Sequence, residues 1–92
     1  MGRESLADRF FEKYREEKKG SHTWLILYDF KEVKPSTRFW ENLKRLQEKS
    51  VESTLVQYSV LMTRDERVAK AAADLVMYYG GDVVKFRGEL VP

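Results

Sequence analysis

Ser53-Thr54-Leu55-Val56-Gln57-Tyr58-Ser59-Val60-Leu61-Met62-Thr63 is the stretch on which the fold turns. It reads as β throughout, because β-branched and apolar residues dominate it and no glycine, proline or asparagine interrupts it. At about 3.3 Å per residue, its eleven residues would span about 36 Å, which is long for one strand of a small sheet. The segment is therefore expected to bend or break near Ser59 and to count as two strands, although nothing there marks a tight hairpin. Strand alternation predicts Gln57 and Ser59 on one face and Tyr58 on the other.

Upstream, residues 37–50 have helical spacing. Phe39, Leu43 and Leu46 fall at i, i+4 and i+7, Trp40 widens the stripe, and Glu41 and Arg45 are spaced for an i,i+4 pair. Before that helix, Lys31 to Ser36 form a charged loop containing Pro35. Before the loop, His22 to Phe30 read as a central strand, with an apolar run continuous enough to be buried on both faces. Residues 4–19 are expected to be an amphipathic helix. Leu6, Phe10 and Tyr14 recur every four residues, Ser5 and Asp8 suit a capping pair, and Gly20 ends the pattern.

Downstream, Thr63-Arg64-Asp65-Glu66 has the form of a capping box. The helix it opens carries Val68, Ala72, Leu75, Val76 and Tyr79 on one face and stops at Gly80-Gly81. Asp82 to Val91 is the last strand, with Val83, Val84 and Phe86 as core candidates. The order is a helix followed by β-α-β-α-β, with the middle β segment doubled. That predicts an α+β, ferredoxin-like split βαβ domain over 22–92, with an antiparallel sheet and both helices on one face. Residues 1–21 form an N-terminal helical extension.

Composition narrows the chemistry. The 92 residues suit one domain with a thin core, for which a homodimer interface is a natural supplement. Seventeen basic and fifteen acidic residues leave a net charge of +2, so nucleic-acid binding would depend on where the charges sit. With no cysteine and only His22, there is no disulfide, no thiolate zinc site and no His-pair site. The longest clean apolar run, Trp24 to Tyr28, falls far short of the roughly 20 residues a membrane helix needs. The N-terminus has no apolar core segment of the signal-peptide kind, and the expected location is cytoplasmic. No P-loop and no dinucleotide glycine fingerprint is present.

Asp29 is the most informative position. It is an acid at the end of a buried apolar strand, where binding residues are held rigidly yet exposed. By position alone it reads first as a cap of the following loop. Its second reading is a ligand for Mg²⁺ or Mn²⁺, and then two copies from a two-fold dimer make the better site. Lys31, Lys34 and Arg38 make a modest basic cluster suited to phosphates, with Arg38 near a helix N-terminus. Gln57 and Ser59 add polar groups able to hydrogen-bond a ligand. Trp24, Trp40 and the tyrosines have faces that suit base stacking, but their spacing suits the core.

Leu27-Tyr28-Asp29-Phe30, then Arg38, a helix, and Leu55-Val56-Gln57-Tyr58-Ser59-Val60-Leu61-Met62 resemble the CRISPR-associated Cas-two family over residues 23 to about 87. The resemblance implies a ferredoxin-like fold and a symmetric dimer. It implies either a metal-dependent endonuclease or a structural role holding DNA beside an integrase-type partner. It maps the strand-end metal ligand and catalytic carboxylate to Asp29, the helix-opening arginine to Arg38 and the strand serine to Ser59. Leu61, Thr63-Arg64 and the N-terminal helix depart from the family pattern. Three functions follow as expectations. One is a metal-dependent nuclease acting on DNA or RNA. Another is a non-catalytic scaffold that binds phosphates through Lys31, Lys34, Arg38 and Ser59. The third is a protein-interaction module docking through the N-terminal helix. A related ribonuclease toxin family shares the same general fold.

Overall fold

The computed structural model describes residues 4–31 and 34–92. Glu32 and Val33, within the charged loop, lie outside the described residues, as do residues 1–3 of the N-terminal extension. The elements run α1 (Leu6–Glu12), β1 (Thr23–Asp29), α2 (Thr37–Gln47), β2 (Ser53–Gln57), β3 (Val60–Thr63), α3 (Glu66–Tyr78) and β4 (Asp82–Gly88). The sheet order is β2-β3-β1-β4 with every neighbouring pair antiparallel, the ferredoxin-like arrangement expected from the element order.

The long middle segment does break. Tyr58 and Ser59 form a two-residue loop, and both are exposed. Ser59 is therefore a turn residue, and the strand alternation expected to pair it with Gln57 does not apply. No described non-glycine residue has positive φ, so the loop lacks the left-handed pair of the common hairpin turn. Instead the register shifts between Leu55 and Gln57, leaving Val56 as a bulge. Bulges increase the local right-handed twist, so one here lets the strands pair without a glycine turn.

Helices cover one face of the sheet only. Trp24, Ile26 and Tyr28 of β1 point into the core with Leu61, Leu55 and Val83. Leu25 and Leu27 point the other way, beside Val60, Met62, Val84 and Phe86. The expectation that β1 is buried on both faces is thus half met. Val84 and Phe86, expected in the core, are 53% and 56% exposed, because alternation sets them opposite Val83.

Each helix differs from its sequence reading at an end. α2 starts at a Ser36 cap, whose hydroxyl accepts from the Phe39 N–H at 3.2 Å, and stops at Gln47 rather than residue 50. Among the described residues Glu41 and Arg45 form no ion pair with each other. For α3 the cap is Asp65, whose carboxylate accepts from the Arg67 N–H at 3.0 Å. The expected capping box does not form. Thr63 is instead the last residue of β3, buried against Ser53 with 2.6 Å between hydroxyls. At the far end the Gly80 N–H bonds to the Met77 carbonyl and the Gly81 N–H to the Val76 carbonyl, both at 3.0 Å. Gly80, at φ +84°, makes this left-handed stop possible.

α1 is much shorter than the periodicity suggested, and residues 13–17 continue as turns with i→i+3 bonds. Its cap is as expected, with the Ser5 hydroxyl accepting from the Asp8 N–H at 3.1 Å. It lies across α2 and α3, away from the sheet, and sinks Ala7 and Phe11 into the same core that α2, α3 and the sheet share. α3 is consequently sandwiched, which is why its small residues Ala69, Ala71 and Ala73 are buried together with Val68, Leu75 and Val76. Among the described residues, no helix is long and apolar enough to cross a membrane.

Candidate nucleic-acid interface

Asp29 is the last residue of β1 and is exposed. Pairing with β4 sets it directly opposite Asp82. Cross-strand partners of this kind have Cβ atoms about 4.5–5.5 Å apart on one face, where like charges repel. Two carboxylates therefore stand side by side at one end of the open apolar face. The sequence reading did not single out Asp82. Its only signal was its place as the first residue after Gly80-Gly81, and it takes the β1–β4 register to bring it to Asp29.

The surroundings of this acidic pair are tightly specified. The Tyr28 N–H donates to the Ser59 carbonyl at 3.0 Å, tying the β2–β3 turn to the end of β1. That bond brings Ser59 beside Asp29. With Lys31 they line an open cleft of about 400 Å³, floored by Leu27 and Val84 and including Asp82. Gly81 makes the close approach possible. A Cβ there would lie 2.8 Å from both Phe30 Cε1 and Val76 Cγ1 and 3.1 Å from the Asp29 carbonyl oxygen. Behind the strand end, the Tyr28 phenol is buried with no partner for its hydroxyl among the described residues, and burial pushes its pKa up to about 12.

The structure divides the remaining candidates. Lys31 shares the Asp29 cleft and supplies its one lysine. Arg38, on the first turn of α2, lines a different cleft on the helical side, together with Arg9 and Arg45. Lys34 is exposed in the segment before α2. Trp40 is partly buried in the aromatic core, with its ring centroid 5.1 Å from that of Phe39, and Tyr58 projects beside it at 6.1 Å, 85% exposed.

The donor set at Asp29 is hard oxygen, of the kind that suits Mg²⁺ or Mn²⁺ and not a thiolate or imidazole metal. Two carboxylates are only part of the six or so ligands such ions take, the rest coming from water, substrate phosphate or a second chain. Among the described residues, no group of three or more His, Cys, Asp or Glu side chains gathers in one chain. The pair supplies two hard oxygen ligands toward such a shell, with the Lys31 ammonium lining the same cleft. No family model, curated protein or solved structure matches the chain.

Proposed function

We propose that this chain is a nucleic-acid-binding protein of the kind its sequence resembles, the CRISPR-associated Cas-two family. In this reading it works as a two-fold dimer, with Asp29 of both copies forming a metal-dependent endonuclease centre. The observation that carries the reading is the Asp29–Asp82 pair at the end of an open apolar sheet face, with Lys31 and Ser59 alongside. A second copy seated on that face meets the acidic pair and raises the carboxylate count from two to four. Mg²⁺ or Mn²⁺ held there would lower the pKa of a bound water and neutralise charge developing on a phosphodiester. Lys31 and the Ser59 hydroxyl are the nearby groups that would hold and orient the phosphate.

One observation favours a second reading, a scaffold without catalysis. A single chain gathers fewer than three ligating side chains among the described residues. A scaffold needs no ion, only basic groups such as Lys31, Lys34 and Arg38 on the nucleic acid, with an integrase-type protein as its partner.

The test is incubation of wild type and Asp29→Ala with labelled RNA and duplex DNA in Mg²⁺, Mn²⁺ or EDTA. Metal-dependent cleavage that disappears in the variant supports the nuclease centre. Cleavage confined to RNA would move the reading toward the related ribonuclease toxins. Retention of nucleic acid without cleavage moves it to the scaffold, and then binding should weaken steeply with salt. Neither cleavage nor retention sinks both readings.

A further inference from the structure

The helical side of the molecule carries a cleft of about 670 Å³ between the start of α1, the outer side of α2 and the end of α3. It is separate from the Asp29 cleft and owes one wall to α1. Asn42 builds that wall. Its amide oxygen accepts from the Ala7 N–H at 3.0 Å, and its amide nitrogen donates to the Arg38 carbonyl at 2.9 Å, which clamps α1 beside α2.

Three arginines face this space: Arg9 from α1, and Arg38 and Arg45 from α2. All three are exposed, and none of their guanidiniums is in an ion pair among the described residues. Arg38 and Arg45 are two turns apart on one side of α2, about 10.5 Å along its axis. Glu4 and Glu41 also line the cleft, so its balance is positive by one charge. Tyr78 and Tyr79, at the end of α3, line it as well. Edge-on packing of Tyr78 against Phe10 at 5.7 Å and Tyr79 at 5.1 Å fixes its ring, yet the residue stays 61% exposed.

We propose that this cleft binds a nucleotide unit, free or within a single strand, with the phosphate on the arginines and the base on Tyr78. Guanidiniums bind phosphate through paired N–H donors, and a fixed tyrosine ring gives a base a flat apolar partner. The volume lies within the range of small-ligand sites. A bare anion would use the arginines and ignore the tyrosine. An acidic peptide would likewise gain nothing from a stacking surface. The site belongs to one chain and needs neither a dimer nor a metal.

Fluorescence anisotropy of the full chain in EDTA tests this, because a metal centre at Asp29 is silent there and the two proposals fail separately. The probes are a fluorescein-labelled oligothymidylate and a fluorescent ATP analogue. The expected result is binding that weakens about tenfold in Arg9→Ala/Arg45→Ala and about tenfold in Tyr78→Leu. Tighter binding of the oligonucleotide makes the ligand a strand, and equal binding makes it a free nucleotide. Unchanged affinity in the arginine variant overturns the proposal. So does displacement by inorganic phosphate or polyglutamate at the concentration at which unlabelled nucleotide displaces, or no binding by the wild type.

Discussion

At the scale of single residues, Tyr28 stands out because its ring fits and its hydroxyl does not. The ring meets Phe30, Phe39 and Trp40 at 6.3, 5.7 and 6.4 Å between centroids. Among the described residues the buried hydroxyl has no partner, a state that costs about 1–3 kcal/mol. Tyr28→Phe should therefore stabilise the fold by about 1 kcal/mol in urea denaturation. The alkaline behaviour should change with it. Burial raises the phenol from 10.0 to about 12, so its proton-linked stability is intact below pH 10 and is lost as pH climbs toward 12. The Phe variant should lose less stability across that window. A variant less stable than wild type at pH 7 would show that the hydroxyl is satisfied after all. Asp29, one residue on, was legible because a charge closing an apolar run is conspicuous in any sequence. Asp82 was not, because its meaning lies wholly in which residue the sheet places opposite it.

At the scale of elements, α1 shows how far periodicity reaches. Leu6, Phe10 and Tyr14 predicted sixteen helical residues, and seven form. Spacing reveals which face is apolar, but the tail from Lys13 onward is set by its partners, with Lys13 at 3.0 Å from Asp74 and Lys70 at 2.6 Å from Glu17. These pairs are solvent-exposed and worth little each. What anchors the element is Phe11, buried in the common core with the Arg67 guanidinium 5.2 Å from its ring. Phe11→Ala should cost about 3 kcal/mol, whereas Lys13→Ala should cost under about 0.5 kcal/mol. Parallel melts of the two variants check this, and equal losses would mean that ion pairs hold the helix. The α3 cap gives a prediction in acid. Burial by itself raises the Asp65 pKa. Hydrogen bonds from the Arg67 side chain and backbone, together with the guanidinium charge, outweigh burial and leave the pKa below the usual 3.8. A lowered pKa means stability that is present above pH 3.8 and lost as pH falls through the folded value. Asp65→Ala should cost about 2–3 kcal/mol at pH 7 and lose less on acidification than wild type does. Sequence reading placed the helix start within two residues but chose Thr63 as its cap. Thr63 and Asp65 are both good cap residues, and only the end of β3 decides between them.

At the scale of the whole molecule, the apolar run from Trp24 to Tyr28 and the open sheet face are in tension. Such a run predicts cover on both faces of β1, and the single chain covers one. A sequence does not distinguish cover supplied by its own helices from cover supplied by another copy, since Leu25 and Leu27 read the same either way. Four strands about 4.8 Å apart and some 20 Å long present about 400 Å² in projection, roughly twice that in accessible surface, near the ~800 Å² per partner of a stable interface. A net charge of +2 offers little repulsion between copies. The expected solution state is therefore a dimer of twice 10.9 kDa, measurable by sedimentation equilibrium. Phe86→Glu puts a carboxylate opposite Leu25, on the edge strand of the face, while touching none of the core, so it should give a folded monomer. Because the acidic pair lies at the end of this same face, the monomer should lose metal-dependent cleavage while keeping nucleotide binding in the helical cleft. A wild type that sediments as a monomer at tens of micromolar would remove the second copy, and the shared Asp29 centre with it. The open face would then need cover from a different protein.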